Sequence, residues 1–224
     1  MTATLDLTVH FDLVCPWCLI GKRHLQSALA QFRAGHPDVA ITVTLRSRQL
    51  LPDIPEAGLP YQAFYEKRLG SKEAVAARRA QVREAGRGAG LEFAFERIEY
   101  MPNTLLAHQL IDCVSEQGSA GQLVELIGDL FTAYFMDGRN IGDAAVLAAI
   151  AVNAGYSGAE IAASLASPEQ RRRFIARLDA EAGENVPGVP YFIFNGRLAL
   201  SGAQPPAYLL AAMEQAMQSV ARAA

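Results

Sequence analysis

The sequence predicts an α/β fold in which both ends of the chain build one sheet and the middle forms a helical insertion. Three observations predict it. An alternating apolar run opens the chain, a similar run returns near residue 191, and the residues between them follow helical patterns. We therefore expect a βαβ…ββα domain from residues 1–50 and 184–224, and an inserted α-helical domain from residues 51–183.

The pattern of the N-terminal part of the chain predicts a strand, a helix and a second strand. Apolar residues from Leu5 to Leu13 alternate with polar ones, which is the period of a half-buried strand. From Pro16 the period becomes helical, and Gly35-His36-Pro37 ends this helix. The expected buried stripe of the helix contains Cys18, Leu25 and Phe32. A second alternating run, Ile41 to Leu45, completes a βαβ unit, so the two strands should be parallel.

The middle of the chain lacks strand patterns. Prolines and a glycine between Leu51 and Leu59 mark a long loop, and Asn103 has the position of a helix cap. The predicted helices cover residues 61–85, 104–116, 120–136, 143–154, 157–165 and 168–182.

The C-terminal part returns to a strand pattern at Tyr191–Phe194. Asn195-Gly196 is a two-residue hairpin signal, Leu198–Leu200 is the return strand, and Pro205-Pro206 starts a last helix. Neither end of the chain could bury an apolar face alone. We therefore expect both ends to share one sheet.

The composition excludes several classes of protein. The net charge is −3 and the pI about 5.8, so no basic excess indicates a nucleic-acid partner. The apolar runs are too short to cross a membrane, and Met1–Thr4 lacks the features of a secretory signal. We expect a cytoplasmic protein, in which disulfides are transient and catalytic. The oligomeric state stays open.

Cys15-Pro16-Trp17-Cys18 is the motif that indicates chemistry, because two cysteines at this spacing can close a disulfide. Cys15 precedes the helix, so we expect it to face solvent and to attack a client disulfide. The helix N-terminus favours its thiolate. Cys18 lies in the buried stripe and is expected to resolve the mixed disulfide from beneath. Pro16 and Trp17 are expected to contact the substrate, with a packing role for Trp17 equally open.

A zinc half-site is the main alternative reading of the two cysteines. Zinc needs about four ligands. His108 and Cys113 could supply two more, but at a spacing of five on one helix they point in different directions. We therefore expect no metal and no cofactor.

Val189-Pro190 is the second candidate element of the site. A proline that enters a strand either begins an edge strand or follows a cis bond. The combination of this proline with the two cysteines and the βαβ–ββα order favours a cis Val189–Pro190 peptide bond. We expect Val189 and Pro190 to bind the substrate, with the Val189 amide and carbonyl turned outward to pair with an extended client backbone.

Three polar residues are candidates for a proton relay. His10 and Asp12 lie on or beside a strand that should be apolar on both faces, and His108 lies in the helical insertion. The alternative interpretation is that they are hydrogen-bonded structural groups, which is the usual state of buried polar side chains.

These residues resemble a known family. Residues 11–23, FDLVCPWCLIGKR, resemble the active-site segment of the FrnE-like branch of the DsbA family. Further segments that resemble this branch are Asn103-Thr104 with Ala107-His108, Ala133–Phe135, Gly188–Phe192 and Ser201–Gln204. The resemblance runs over nearly the whole chain. It implies a thioredoxin fold with an inserted helical domain and thiol–disulfide oxidoreductase or isomerase activity. It also implies Cys15 as nucleophile, Cys18 as resolving thiol and Val189-Pro190 as the cis-proline loop.

Two other functions remain open. One is a glutathione-dependent isomerase or transferase of the 2-hydroxychromene-2-carboxylate isomerase and kappa-class type, whose active-site position usually carries serine. The other is a non-catalytic binding module on the same scaffold. For the redox reading, the partners are client proteins or small thiols and disulfides, with glutathione as the alternative thiol co-substrate.

Overall fold

The computed structural model describes residues 3–115, 117–182 and 186–221. The chain divides into two compact units. We call Met1–Arg48 with Asn185–Ala224 the sheet unit, and Gln49–Glu184 the helical unit. The first boundary lies two residues before the one expected from the sequence. The second, expected between residues 183 and 184, falls outside the described residues.

The sheet unit has four strands in the order β2-β1-β5-β6. Its strands are β1 (Thr4–Phe11), β2 (Ala40–Ser47), β5 (Tyr191–Phe194) and β6 (Leu198–Ser201), and its helices are α1 (Pro16–Gly35) and α9 (Pro206–Ala221). β1 pairs with β2 in parallel and with β5 antiparallel, so the two chain ends do share one sheet, as expected. β5 and β6 form an antiparallel hairpin.

The core of the sheet unit lies between the sheet and its two helices. Alternate residues of β1 point to one face, as period two requires, and meet the apolar stripes of α1 and α9. The fully enclosed members of this cluster include Leu5, Phe32, Phe192, Phe194, Leu209 and Met213. The stripe predicted for α1 is confirmed, since Cys18, Leu25 and Phe32 are all buried.

The helical unit is built mainly from short helices. They are α2 (Tyr61–Leu69), α3 (Lys72–Gly88), α4 (Leu105–Ser115), α5 (Ala120–Phe135), α6 (Ala144–Asn153), α7 (Gly158–Ala166), α8 (Pro168–Ala182) and a 3-10 turn at Phe95–Arg97. An aromatic cluster fills part of its core, with stacked or edge-to-face rings from Phe93, Phe95, Phe131, Tyr134 and Phe135.

Two expectations for the helical unit are wrong. The single helix predicted over residues 61–85 is two helices, because Gly70 has a φ of 95° and ends α2, and the Ser71 side chain caps α3. The unit also contains a short antiparallel ladder of β3 (Leu59–Pro60) and β4 (Tyr100–Met101), which the sequence did not indicate. The predicted end of α4 at Glu116 lies outside the described residues.

Among the described residues, no helix is both long enough and apolar enough to cross a membrane.

Candidate active site

The two cysteines of the sheet unit lie where β1 gives way to α1. Cys15 is the N-cap residue of α1, and Pro16 occupies the first turn, where a backbone N–H would have no partner within the helix. The Cys18 N–H donates to the Cys15 Sγ at 3.3 Å and to the Cys15 carbonyl oxygen at 3.0 Å. An N–H donor at the positive end of a helix stabilises negative charge on the sulfur. The thiolate is the form that attacks a disulfide.

Both thiols are free and buried. Cys15 is only 5% exposed and Cys18 only 3% exposed. The expectation for Cys18 is confirmed, but the expectation that Cys15 faces solvent is wrong. Its side chain turns toward the end of the helix and toward the loop at Val189. The two residues between the cysteines, Pro16 and Trp17, are half-buried. A substrate sulfur therefore has only a narrow approach to Cys15.

The loop before β5 meets the Cys15 thiol. The Cys15 Sγ donates to the Val189 carbonyl oxygen at 3.6 Å, a contact between residues 174 positions apart in the chain. The Val189–Pro190 peptide bond is cis. The Val189 carbonyl faces the thiol, whereas the sequence suggested that it turns outward. Val189 is half-buried and Pro190 is buried.

The environment of Cys18 differs from that of Cys15. Burial raises the pKa of the Cys18 thiol well above its usual value, and a hydrogen bond with Cys15 and the Cys15 charge raise it further. A backbone hydrogen bond from Asp12 lowers this pKa, while the Asp12 carboxylate raises it. Cys18 therefore stays protonated at neutral pH. It can act as the resolving thiol only when a group or solvent accepts its proton.

The three candidates for a proton relay are all buried. Asp12 directly follows β1, and its carbonyl oxygen accepts a hydrogen bond from the Cys15 N–H at 3.2 Å. His10 lies on β1, opposite Arg46 of β2 and Tyr191 of β5, with ring centroids 6.4 Å apart for the His10–Tyr191 pair. His108 belongs to α4 of the helical unit. The relay role of each stays a prediction.

Sequence reasoning missed one residue that touches this site. A Cβ atom at Gly21 would lie 3.0 Å from Pro190 Cγ, so the glycine permits a close approach between α1 and the Pro190 ring. The signal was present, because a glycine inside a helical pattern often marks a close contact. The sequence alone does not identify the distant residue that occupies the space left by the missing Gly21 side chain.

The described residues contain no group of three or more His, Cys, Asp or Glu side chains placed to hold a metal ion. Cys113, one residue of the zinc alternative, lies in α4, where its Sγ accepts a hydrogen bond from Gln117 Nε2 at 3.6 Å.

The chain matches the family model described as DSBA-like thioredoxin domain over residues 6–214. The match therefore includes Cys15 and Cys18, the Val189-Pro190 loop and all of the helical unit. A comparison with curated protein sequences found no match.

Several solved structures resemble the chain. A probable DsbA oxidoreductase from Streptomyces coelicolor is 27% identical, with a TM-score of 0.84 over 95% of this chain and 89% of that chain. The cytosolic disulfide reductase DsbM from Pseudomonas aeruginosa, solved with GSH, is 17% identical, with a TM-score of 0.63 over 95% and 99% of the two chains. A 2-hydroxychromene-2-carboxylate isomerase is 14% identical, with a TM-score of 0.68 over 98% and 99%. The last two show likeness of fold alone.

Proposed function

Because the chain belongs to the DSBA-like thioredoxin domain family, we propose that it exchanges disulfides with clients through the Cys15–Cys18 dithiol. The observation that carries the proposal is the placement of the Cys15 sulfur. It lies at the N-terminus of α1, 3.3 Å from the Cys18 N–H and 3.6 Å from the Val189 carbonyl oxygen. The end of α1, the backbone of the second cysteine and the loop before β5 thus converge on one atom.

The first step is the attack of the Cys15 thiolate on a client disulfide. A bond forms between Cys15 Sγ and one client sulfur, and the client S–S bond breaks to release the other client sulfur as a thiolate. The Cys18 N–H donates to the Cys15 sulfur before this attack. The product is a mixed disulfide between Cys15 and the client.

The second step is resolution by Cys18. The thiol loses its proton, its sulfur bonds to Cys15 Sγ, and the mixed disulfide breaks to release the second client thiolate. The client gains two electrons and the Cys15–Cys18 pair loses two. The raised pKa of Cys18 makes its deprotonation the demanding part of this step. The buried Asp12 carboxylate is the proposed acceptor, and the buried His10, two residues before it and within β1, is the second candidate.

Client binding is assigned to the surface around the thiol. The half-buried Pro16 and Trp17 offer apolar contact, and Val189 and Pro190 offer a peptide group beside Cys15. Because the Val189 carbonyl faces the thiol, an extended client segment is proposed to pair with the Val189 amide and so to place its sulfur against Cys15. Protein clients and small disulfides are both within this proposal, and glutathione is the proposed small thiol co-substrate. A cytoplasmic location fits a chain whose close cysteine pair is used for catalysis.

Single cysteine substitutions test the proposal. We expect Cys15→Ser to abolish the reduction of insulin disulfides, because serine cannot form the mixed disulfide. We expect Cys18→Ser to accumulate a covalent mixed disulfide at Cys15, visible by mass spectrometry, because the resolving thiol is gone. Cys113→Ser is the matched control, since it removes the remaining cysteine without touching the dithiol, and it should keep the wild-type rate.

The insulin assay, run beside an assay for glutathione-dependent conjugation and isomerisation, separates the alternative functions. Equal residual activity in Cys15→Ser and Cys18→Ser would contradict the assigned roles. Conjugation or isomerisation that needs glutathione, with no turnover of insulin disulfides, would favour the isomerase and transferase reading. An unreactive Cys15 in the folded wild-type protein would favour a binding module.

A further inference from the structure

Gly21 is buried in the interior of α1, one turn beyond Cys18, and its Cα faces the loop that carries Val189. A Cβ at this position would lie 3.0 Å from Pro190 Cγ, 3.4 Å from Pro190 Cβ and 3.2 Å from Phe192 Cζ. Carbon atoms pack best at about 3.5–4.0 Å, so even a methyl group does not fit without movement. The missing side chain therefore sets how closely α1 and the start of β5 approach.

The neighbours of Gly21 have little freedom to give way. Phe192 is fully buried in the core of the sheet unit, where interiors are close-packed. The Pro190 carbonyl oxygen accepts a hydrogen bond from the Gly202 N–H at 2.8 Å, which holds the proline from the side of β6. Among these contacts the Pro190 ring, at the edge of the strand, is the one that can shift. A shift of the whole Pro190 residue moves the adjoining Val189 peptide.

We propose that Gly21 is a positioning residue for client docking: the absence of its side chain places the Val189 peptide against the Cys15 sulfur. The inference rests on the proposed function and adds to it a residue that touches neither substrate nor sulfur. A Cβ at position 21 would need about 0.5 Å of extra room. The contact from Cys15 Sγ to the Val189 oxygen is already 3.6 Å long, so a movement of that size breaks it.

Gly21→Ala tests this inference, with Gly35→Ala as the matched control. Both glycines lie in α1, and both changes favour the helix, but a Cβ at Gly35 meets nothing within 4 Å. We expect Gly21→Ala to lower kcat/KM for the protein disulfides of insulin by about tenfold, mainly through KM, because docking geometry is sensitive at this scale. The rate with a small aromatic disulfide, 5,5′-dithiobis(2-nitrobenzoic acid), should stay unchanged, because that substrate has no backbone to pair with Val189.

The Gly35→Ala control makes each outcome for Gly21→Ala interpretable. Gly35→Ala should match the wild type with both substrates and in melting temperature, and Gly21→Ala should stay folded at the assay temperature although its crowded Cβ lowers the melting temperature. An unchanged KM for insulin in Gly21→Ala would overturn the inference while leaving the proposed function intact. An equal loss with both substrates, or a failure of Gly21→Ala to fold, would assign Gly21 to packing alone and would also overturn it. A wild type inactive on both substrates would instead remove the proposed function, and the inference with it.

Discussion

At the scale of single residues, the candidate site depends on two cysteines in unlike surroundings. Cys15 caps a helix and receives a backbone N–H, whereas Cys18 is enclosed and its pKa is raised, first by burial and then by its hydrogen bond with Cys15. The Asp12 carboxylate adds to this rise because a nearby negative charge opposes the formation of a thiolate. This difference supports the proposal that Cys15 attacks the client disulfide and Cys18 resolves the mixed disulfide.

Asp12→Asn tests the electrostatic part of this assignment. Removing the negative charge removes one cause that raises the pKa of Cys18, so we expect that pKa to fall. The measurement is a titration of thiolate absorbance in a background with Cys15→Ser and Cys113→Ser, in which Cys18 is the remaining thiol. Burial persists in this background, so the pKa should still lie above the usual value before Asp12 is changed.

Asp6→Asn is the matched control for this titration. Asp6 lies on β1, the strand that Asp12 follows, but it is exposed, so the pKa of Cys18 should not respond to it. A Cys18 pKa that is unchanged or higher in Asp12→Asn would contradict the account. The lifetime of the mixed disulfide at Cys15, measured in protein that retains both Cys15 and Cys18, adds a second readout. If Asp12 accepts the Cys18 proton, resolution slows in Asp12→Asn even though the pKa of Cys18 falls.

Part of the site could be predicted from the residues themselves. The position of Cys18 in an apolar stripe indicated its burial, because helical spacing alone determines which face a residue occupies. The burial of Cys15 and its contact with Val189 could not be predicted this way. Both depend on a loop 174 positions away in the chain, and local patterns carry no information on such a contact.

At the scale of elements, side-chain caps define several helix starts. The Asp143 carboxylate accepts hydrogen bonds from the Ala145 N–H at 2.7 Å and the Val146 N–H at 3.1 Å, at the start of α6. Ser157 stands at the equivalent position of α7, but its side chain makes no capping hydrogen bond. The two residues therefore form a natural pair for measuring what a satisfied cap contributes.

We expect Asp143→Ala to lower the free energy of unfolding by about 1 kcal/mol, because two helix N–H groups lose their acceptor. Ser157→Ala, which removes no capping bond, should leave the free energy nearly unchanged. Urea unfolding followed by circular dichroism gives both values. A loss for Ser157→Ala as large as that for Asp143→Ala would contradict the assignment of the caps.

The helix caps also show which boundaries of helices could be predicted from the sequence. Asn103 was recognised as a cap, and its Oδ1 accepts from the Leu105 N–H at 2.9 Å. The break at Gly70-Ser71 carried the same kind of signal, a glycine followed by a capping serine. It was outweighed by the strong helix formers on both sides. The ladder of β3 and β4 is two residues long per strand, too short for any alternation to appear.

At the scale of the whole molecule, the sheet unit needs both ends of the chain. β1 lies at the centre of this arrangement, with β2 on one side and β5 on the other, so neither terminal segment completes the sheet alone. The hairpin after β5 is also tied to β1, since the Asn195 Oδ1 accepts from the Asp6 N–H at 2.8 Å. Asn195 and Gly196 both have positive φ, as the hairpin signal in the sequence indicated.

The sharing of one sheet could be predicted from burial, because an isolated βαβ or ββα unit leaves an apolar face open to water. The strand order could not be predicted this way, because alternation shows which face of a strand is buried but not which strand lies beside it. The sheet brings the start of α1 and the loop before β5 to the same sulfur. The arrangement of the whole unit thus creates the site, although its two motifs lie at opposite ends of the sequence.

The most direct test of the proposed redox function is to equilibrate the Cys15–Cys18 pair in glutathione redox buffers. The samples are then quenched with acid and alkylated, and the two thiols are quantified by peptide mass spectrometry. We expect one two-electron transition between dithiol and an intramolecular Cys15–Cys18 disulfide, at a potential within the roughly −270 to −120 mV range of this chemistry. A value near the lower end would indicate a reductase, and one near the upper end an oxidant. A pair that never closes, or that carries only glutathione on Cys15, would contradict the account.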